Sequence, residues 1–289
     1  MSAGGEARLQ ALDEVLDQAE ARATSEDSGL LKSLAAVVTG APRAADMAAL
    51  PSDLFAVVDA LDSSVTLRRA LTDPSTPESG RRQLAHNLLD GKVSKVAVNI
   101  VEEAVALRWG GGRALSDALE RQGVRAQLLV AEREGTLEET EDELFRFARM
   151  VESTPQVRDG LGDRGIDLAG RRQLVEDLLR GRASETTIVL AKRAVAARER
   201  TFAHTMEGFV ALAAAQKNRV VATVRVARPL TADERARLQT ALSSQVGRDV
   251  LLQEVIDEGV LGGIRVELGD EVIEGTVAAR LEQARRHFG

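Results

Sequence analysis

Cysteine is absent from this chain and aromatic rings are scarce in it. It has no cysteine and no tyrosine, one tryptophan (Trp109) and six phenylalanines, so aromatic residues make up 2% of its 289 positions. Without cysteine there is no disulfide framework, no thiolate metal site and no cysteine nucleophile, a pattern that fits a reducing cytosol. Without rings there is no stacking platform for single-stranded nucleic acid. A core that must come from Leu, Val and Ala suits close-packed helices better than a β-sandwich. No apolar run approaches the ~20 residues that span a bilayer, which argues against direct membrane insertion. Met1–Arg22 reads as an acidic amphipathic helix and lacks the basic and apolar regions of a signal peptide. The net charge of −7, with both signs mixed along the chain, repels phosphate backbones, so nucleic acid is not an expected partner.

What is present is an ordinary apolar fraction of 44%, enough for a sizeable core, in a length that suggests two domains or three small ones. Inside it lies a repeat. Gly80-Arg81-Arg82-Gln83-Leu84 recurs as Gly170-Arg171-Arg172-Gln173-Leu174, an offset of 90 residues. The same offset carries Leu54-Phe55 onto Leu144-Phe145, Ser63 onto Ser153, Leu71 onto Leu161, Asp73 onto Asp163, Leu88-Leu89 onto Leu178-Leu179, and Gly91 onto Gly181. A constant offset over that span points to duplication. Both copies carry helical periodicity: Leu54, Val57, Val58, Leu61 in one, and Leu144, Phe147, Ala148, Val151 in the other. A later helix of copy one is expected to bury Val93, Val96, Ala97, Ile100, Val101 and Ala104; its counterpart, Thr187, Leu190, Ala191, Ala194 and Val195. Pro and Gly punctuate the connections, as in Asp73-Pro74-Ser75-Thr76-Pro77 and Gly160 to Gly165. Each copy reads as a compact bundle of five or six short helices.

Near Asn218 the period changes to two. Val220, Ala222, Val224 and Val226 alternate with Val221, Thr223 and Arg225, a half-buried strand. Thr231-Ala232-Asp233-Glu234 is a capping-box pattern, and Leu238, Ala241, Leu242 and Val246 give the next helix an apolar stripe, closed by Gly247. Val250–Ile256, Ile264–Leu268 and the short Val272-Ile273 read as strands, and Thr276–Arg286 as a last helix. The fold class is therefore mainly α: two tandem short-helix bundles, residues 1–112 and 113–218, followed by a small α+β domain, residues 219–289.

Chemistry is hard to assemble from these residues. His86, His204 and His287 lie in separate segments; His204 and Glu207 have a metal-compatible spacing but no further ligand cluster beside them. Gly91-Lys92-Val93-Ser94 lacks the spacing, glycine and preceding strand of a phosphate loop, and reads instead as a helix stop and the next helix's cap. Trp109-Gly110-Gly111-Gly112 reads as a loop with Trp109 packed. The acidic run from Glu132 to Glu143 sits among arginines at helical spacing, a solvated face. The reading is a non-catalytic binding or structural protein without cofactor, metal or catalytic residue. A helical-repeat scaffold for some other assembly, and an enzyme with a dispersed site, stand as alternatives at this point.

The C-terminal third carries a resemblance. Val220 to Pro229-Leu230-Thr231, the pair Gly262-Gly263 opening a strand, the Gly269-Asp270 turn, Glu274-Gly275-Thr276-Val277 and Arg280-Leu281 resemble the signature of the F-type ATP synthase delta subunit, also known as the oligomycin-sensitivity-conferring protein family. Asp257-Glu258 stands where the family usually has Asp-Pro. The resemblance runs from about residue 124 to the end, so the preceding residues resemble the long form with a duplicated helical domain. It implies a stator (peripheral stalk) protein without an active site or cofactor, peripheral to the cytoplasmic face of a bacterial plasma membrane. The implied partners are the N-terminal helices of the alpha subunits and the C-terminus of the b-type stalk. The family's first and fifth bundle helices map to Leu115–Arg133 and Ser184–Arg198, with Leu128, Leu129, Leu190, Ala191 and Val195 as candidate groove residues for alpha. Pro229, Gly262, Gly263, Gly269, Asp270, Gly275, Val277 and Leu281 mark the stalk-binding domain.

Overall fold

A computed structural model describes residues 3–26, 44–163, 165–196, 201–218, 220–247, 250–257, 263–268 and 271–274. Its helices are α1 (Ala3–Glu26), α2 (Ala44–Ser63), α3 (Val65–Thr72), α4 (Glu78–Leu89), α5 (Lys95–Ala106), α6 (Gly112–Arg133), α7 (Leu137–Ser153), α8 (Pro155–Gly162), α9 (Leu168–Leu179), α10 (Glu185–Ala194), α11 (Phe202–Lys217) and α12 (Ala232–Val246). The strands are β1 (Val220–Val226), β2 (Val250–Ile256), β3 (Ile264–Leu268) and β4 (Glu271–Glu274). The chain is mainly helical, with a small α+β part at its C-terminal side. Two compact units emerge, one holding α2–α11 with the start of α1, the other holding the sheet and α12.

The 90-residue offset is a structural repeat. It carries the first residues of α3, α4, α5 and α6 onto those of α8, α9, α10 and α11. The apolar periodicity buries Leu54, Val57, Val58 and Leu61 in α2 and Leu144, Phe147, Ala148 and Val151 in α7. Caps repeat as well. Ser94 N–H donates to Asp53 Oδ2 at 2.8 Å, and Ser184 N–H to Glu143 Oε2 at 2.9 Å, so one carboxylate from the copy's leading helix holds the start of α5 or α10. Each serine hydroxyl then accepts from the N–H three residues on, the usual N-cap bond. The repeated Arg of Gly-Arg-Arg-Gln-Leu has the same task twice. Arg81 Nε donates to the Val105 carbonyl at 2.7 Å, and Arg171 Nη1 to the Val195 carbonyl at 3.4 Å, placing a cation on carbonyls at a helix C-terminus where the dipole favours it. Val93 was expected on the buried face of α5; it precedes the helix and is half-buried, because Ser94 is the cap.

Helix α6 belongs to both copies. As the last helix of copy one it corresponds to α11, whose buried Met206, Phe209, Ala213 and Gln216 map onto Ser116, Leu119, Gly123 and Ala126, all buried too. As the first helix of copy two it contributes Val124, Leu128 and Ala131 to the core built around Leu144, Phe147, Leu190 and Phe209. One helix therefore buries two stripes, and the two bundles share it as a common wall.

The second unit is a four-stranded sheet of order β2-β1-β3-β4. β1 and β2 are parallel, from Val220↔Val250 to Val226↔Ile256, and β1–β3 and β3–β4 are antiparallel. The parallel pair needs a crossover, and α12 supplies it. Leu238, Leu242 and Val246 pack with Ala222, Val224, Val226, Val250, Leu252 and Val266; Ala241, expected in that stripe, is exposed. Thr231 and Glu234 form the reciprocal capping box, and Gly247 ends the helix in the left-handed conformation at φ 70°. The predicted helix over Thr276–Arg286 lies outside the described residues.

Candidate partner-binding surfaces

Among the described residues no group of three or more His, Asp or Glu side chains could hold a metal, and no helix is long and apolar enough to cross a membrane. His204 Nδ1 lies 3.3 Å from Glu207 Oε2 in an exposed pair on α11. His86 Nδ1 lies 2.8 Å from Glu102 Oε1, linking α4 to α5. Ser94 caps α5 and Gly91 turns at φ 71°, so Gly91-Lys92-Val93-Ser94 is a helix stop and restart. Trp109 is half-buried; its indole N–H donates to the Ala104 carbonyl at 2.7 Å and the Arg8 guanidinium lies over its ring. The acidic run divides. Asp142 pairs with Arg146 on the surface, whereas Glu143 turns inward and accepts from Ser184 N–H, Ser184 Oγ and Thr187 Oγ1 at 2.9, 2.8 and 2.6 Å.

The five candidate groove residues all lie inside the bundle. Leu128, Leu190, Ala191 and Val195 belong to the copy-two core and Leu129 is buried on α6. Two polar pairs close the seam between α6 and α10: Gln127 Nε2 donates to Thr186 Oγ1 at 3.0 Å, and Arg193 Nε to Glu120 Oε1 at 2.7 Å. The outer side of that seam is covered, at the level of Arg193, by α2. Arg193 Nη1 reaches Asp59 Oδ1 at 2.6 Å, its guanidinium lies 4.9 Å from the centre of the Phe55 ring, and its side chain is 4% exposed. Gly123 makes room for that ring, since a Cβ there would stand 2.6 Å from Phe55 Cε1.

Spacing within each copy gave no hint of this junction; comparing the copies does. The offset places Arg193 on Glu103, which in copy one is held by Arg82 through Nη1–Oε1 at 2.5 Å and Nη2–Oε2 at 2.8 Å. That bidentate bond from Arg82 holds the Glu103 carboxyl below its usual range. In copy two the acid has become a base, and its partners are Asp59 and Glu120. A charge reversal between otherwise matching positions converts a bond within one bundle into a bond between two.

In the second unit Pro229 is exposed after β1, where Arg228 pairs with Glu234 at 2.8 Å and Leu230 N–H donates to Glu254 at 2.8 Å. Arg228, with the Thr231 N–H and hydroxyl, holds the Glu234 carboxyl down at about 2. Arg235 meets Glu254 Oε2 at 2.5 Å, tying the start of α12 to β2. Gly263 precedes β3 with φ 111°, a conformation that favours glycine. Gly262, Gly269, Asp270, Gly275, Val277 and Leu281 lie outside the described residues.

Residues 123–288 match the family described as ATP synthase delta (OSCP) subunit, a span that opens inside the shared helix α6 and covers copy two and the sheet unit. The chain is 43% identical over 245 residues to ATP synthase subunit delta of Kineococcus radiotolerans, covering 84% of this chain and 89% of that protein. It is 44% identical over 243 residues to the Nocardioides sp. protein of the same name, covering 84% and 88%. With the Frankia alni protein of that name, identity is 42% over 273 residues, 93% of this chain and 95% of the relative. So long a match extends through the first bundle, which that relative therefore shares. This chain belongs to the ATP synthase delta (OSCP) subunit family.

Proposed function

We propose that the chain is a non-catalytic stator subunit of an F-type ATP synthase, linking the alpha subunits of the catalytic head to the b-type peripheral stalk. The observation that carries this is the identity of 42–44%, over more than four-fifths of both chains, with proteins named ATP synthase subunit delta. In this reading the work is mechanical: holding the head against rotor torque during proton-driven ATP synthesis. Two contacts engaged together raise the effective concentration at each, so modest single affinities give a durable link. The protein works at the cytoplasmic face of the bacterial plasma membrane, held there through the complex.

The alpha N-terminal helix is proposed to lie along α6 and α10 away from the level of Arg193, where α2 covers the seam, in the helix-in-groove mode. Leu128, Leu129, Leu190, Ala191 and Val195 are buried, so their contribution is to set the spacing of the two helices beneath the partner. The b-type stalk is proposed to engage the sheet unit with the residues that follow it, the region of Gly262, Gly263, Gly269, Asp270, Gly275, Val277 and Leu281. The first bundle is proposed to brace the stalk or the head. Truncation after Asp257 should abolish pull-down of the b subunit while an alpha N-terminal peptide still binds; a truncated chain that retains b would sink this division of labour.

A further inference from the structure

One face of the repeat occurs twice in this chain, once covered and once open. In copy one the face formed by α2 and α6 is covered by α10, which lays Arg193 over the Phe55 ring and onto Asp59 and Glu120. The 90-residue offset carries that face onto α7 and α11. Phe55 becomes Phe145, Asp59 becomes Arg149, Glu120 becomes Val210 and Val124 becomes Ala214. No third copy follows α11 to supply another α10. Phe145 is 54% exposed, the most exposed large hydrophobe among the described residues, and Val210 and Ala214 are half-buried. A single exposed phenylalanine is ordinary on a protein surface. This one occupies a position whose twin is buried under a helix.

We propose that the α7–α11 face docks one amphipathic helix of another polypeptide, laid across it as α10 lies across α2 and α6. Its apolar stripe would cover Phe145, Val210 and Ala214, and it would carry an Asp or Glu opposite Arg149. The charge follows from the covered example. Arg193 faces two carboxylates, Asp59 and Glu120; the open face has a guanidinium and a valine at those positions, so its partner needs the opposite sign. Among the described residues Arg149 pairs with Glu152 three residues on, at 3.1 Å with both side chains exposed, a surface pair weak enough to exchange.

A second copy of this chain fits less well. Its α10 is already seated on its own Phe55. Its α5 does carry Glu103 at the position of Arg193, but Arg82 holds that carboxylate at both oxygens. Such a contact would also be head-to-tail, building a ring or a filament and not a two-fold dimer.

The docking face goes beyond the connector reading and uses it only to choose the complex. The test is a photoreactive benzoylphenylalanine at position 145 of the full-length chain, irradiated in cells and in the purified ATP synthase. The expected result is one adduct on a helical segment of another subunit, with Asp or Glu within a turn of the attachment point. Arg149→Glu should lower that adduct's yield by about tenfold. A matching photoprobe at Asp159, exposed on α8, gives the background. The proposal is overturned by yield no higher than that background, by an adduct on a second copy of the chain, or by indifference to Arg149→Glu. A wild-type chain missing from the purified enzyme defeats the connector reading; the adduct in cells then decides the docking face by the same criteria.

Discussion

At position 123 two preferences oppose each other. A glycine inside α6 costs about 1 kcal/mol of helix propensity relative to alanine, yet a Cβ there would meet Phe55 Cε1 at 2.6 Å. Overpacking of that kind costs about 1–3 kcal/mol, so Gly123→Ala should destabilise the chain. In a Phe55→Ala background the obstacle is gone and the same substitution should stabilise it. Thermal or urea unfolding of the four proteins measures the sign change; a Gly123→Ala that behaves alike in both backgrounds would refute the contact. Arg193 makes the neighbouring case. Its removal takes a close cation from both Glu120 and Asp59, with Arg172 still 3.9 Å from Asp59, and because Asp59 is half exposed the cost should be about 2 kcal/mol, below the range for a fully buried pair. Arg193→Ala with Asp59→Ala should show coupling of about 1 kcal/mol in a double-mutant cycle.

Element by element, the helix starts are where side chains determine geometry, and they carry the pH dependence. In α12 the Glu234 carboxyl is held at about 2, first by Arg228 and then by Thr231, against an ordinary value near 4.5. A carboxyl whose folded value is depressed contributes stability that is complete above the ordinary value and lost as pH falls toward the depressed one. Glu103, lowered by Arg82, works in the same direction for the first bundle. Acid unfolding followed between about pH 4.5 and 2 should therefore flatten in Glu234→Gln for signals from the sheet unit; an unchanged slope would remove the capping box as its source. These starts were also the legible part of the fold. Thr231-Ala232-Asp233-Glu234 announces its box, and the alternation from Val220 to Val226 announces β1, because both signals are local. Glu143 was read as part of a solvated acidic face, and it is instead the acceptor of three bonds at the start of α10. Its partner Ser184 is 41 residues away, a distance that no helical spacing encodes. Only its twin, Asp53 with Ser94, could have revealed it, and Asp and Glu do not match by identity. The groove residues were legible as apolar and not as buried, since periodicity cannot say whether a stripe faces its own bundle or a visitor.

On the scale of the whole chain, α6 decides how separable the bundles are. Its two stripes are both buried: Val124, Leu128 and Ala131 toward copy two, and Leu115, Ser116, Leu119 and Ala126 outside that core. Asp13 of α1 binds the same helix, accepting from Gln122 Nε2 at 2.7 Å and pairing with Arg121 and Arg125. A cut before Gly112 therefore leaves copy two with all of its helices and with one wall stripped. Each fully exposed leucine represents about 1.5–3 kcal/mol of lost burial, and Leu115 and Leu119 would stand on one face as a contiguous apolar patch. The fragment 112–289 should accordingly unfold at a lower temperature than the full chain and self-associate on size exclusion. Replacing Leu115 and Leu119 by Gln in the fragment should restore a monomer without lowering its melting temperature, because neither side chain belongs to the copy-two core. In the full chain the same pair should destabilise strongly, since both are fully buried. A fragment that is monomeric and unfolds at the full chain's temperature without the substitutions would mean that α6 needs no cover on that side. The bracing role proposed for the first bundle is then measured with the repaired fragment in coupled ATP synthesis, where a loss reports the missing bundle and not an exposed helix.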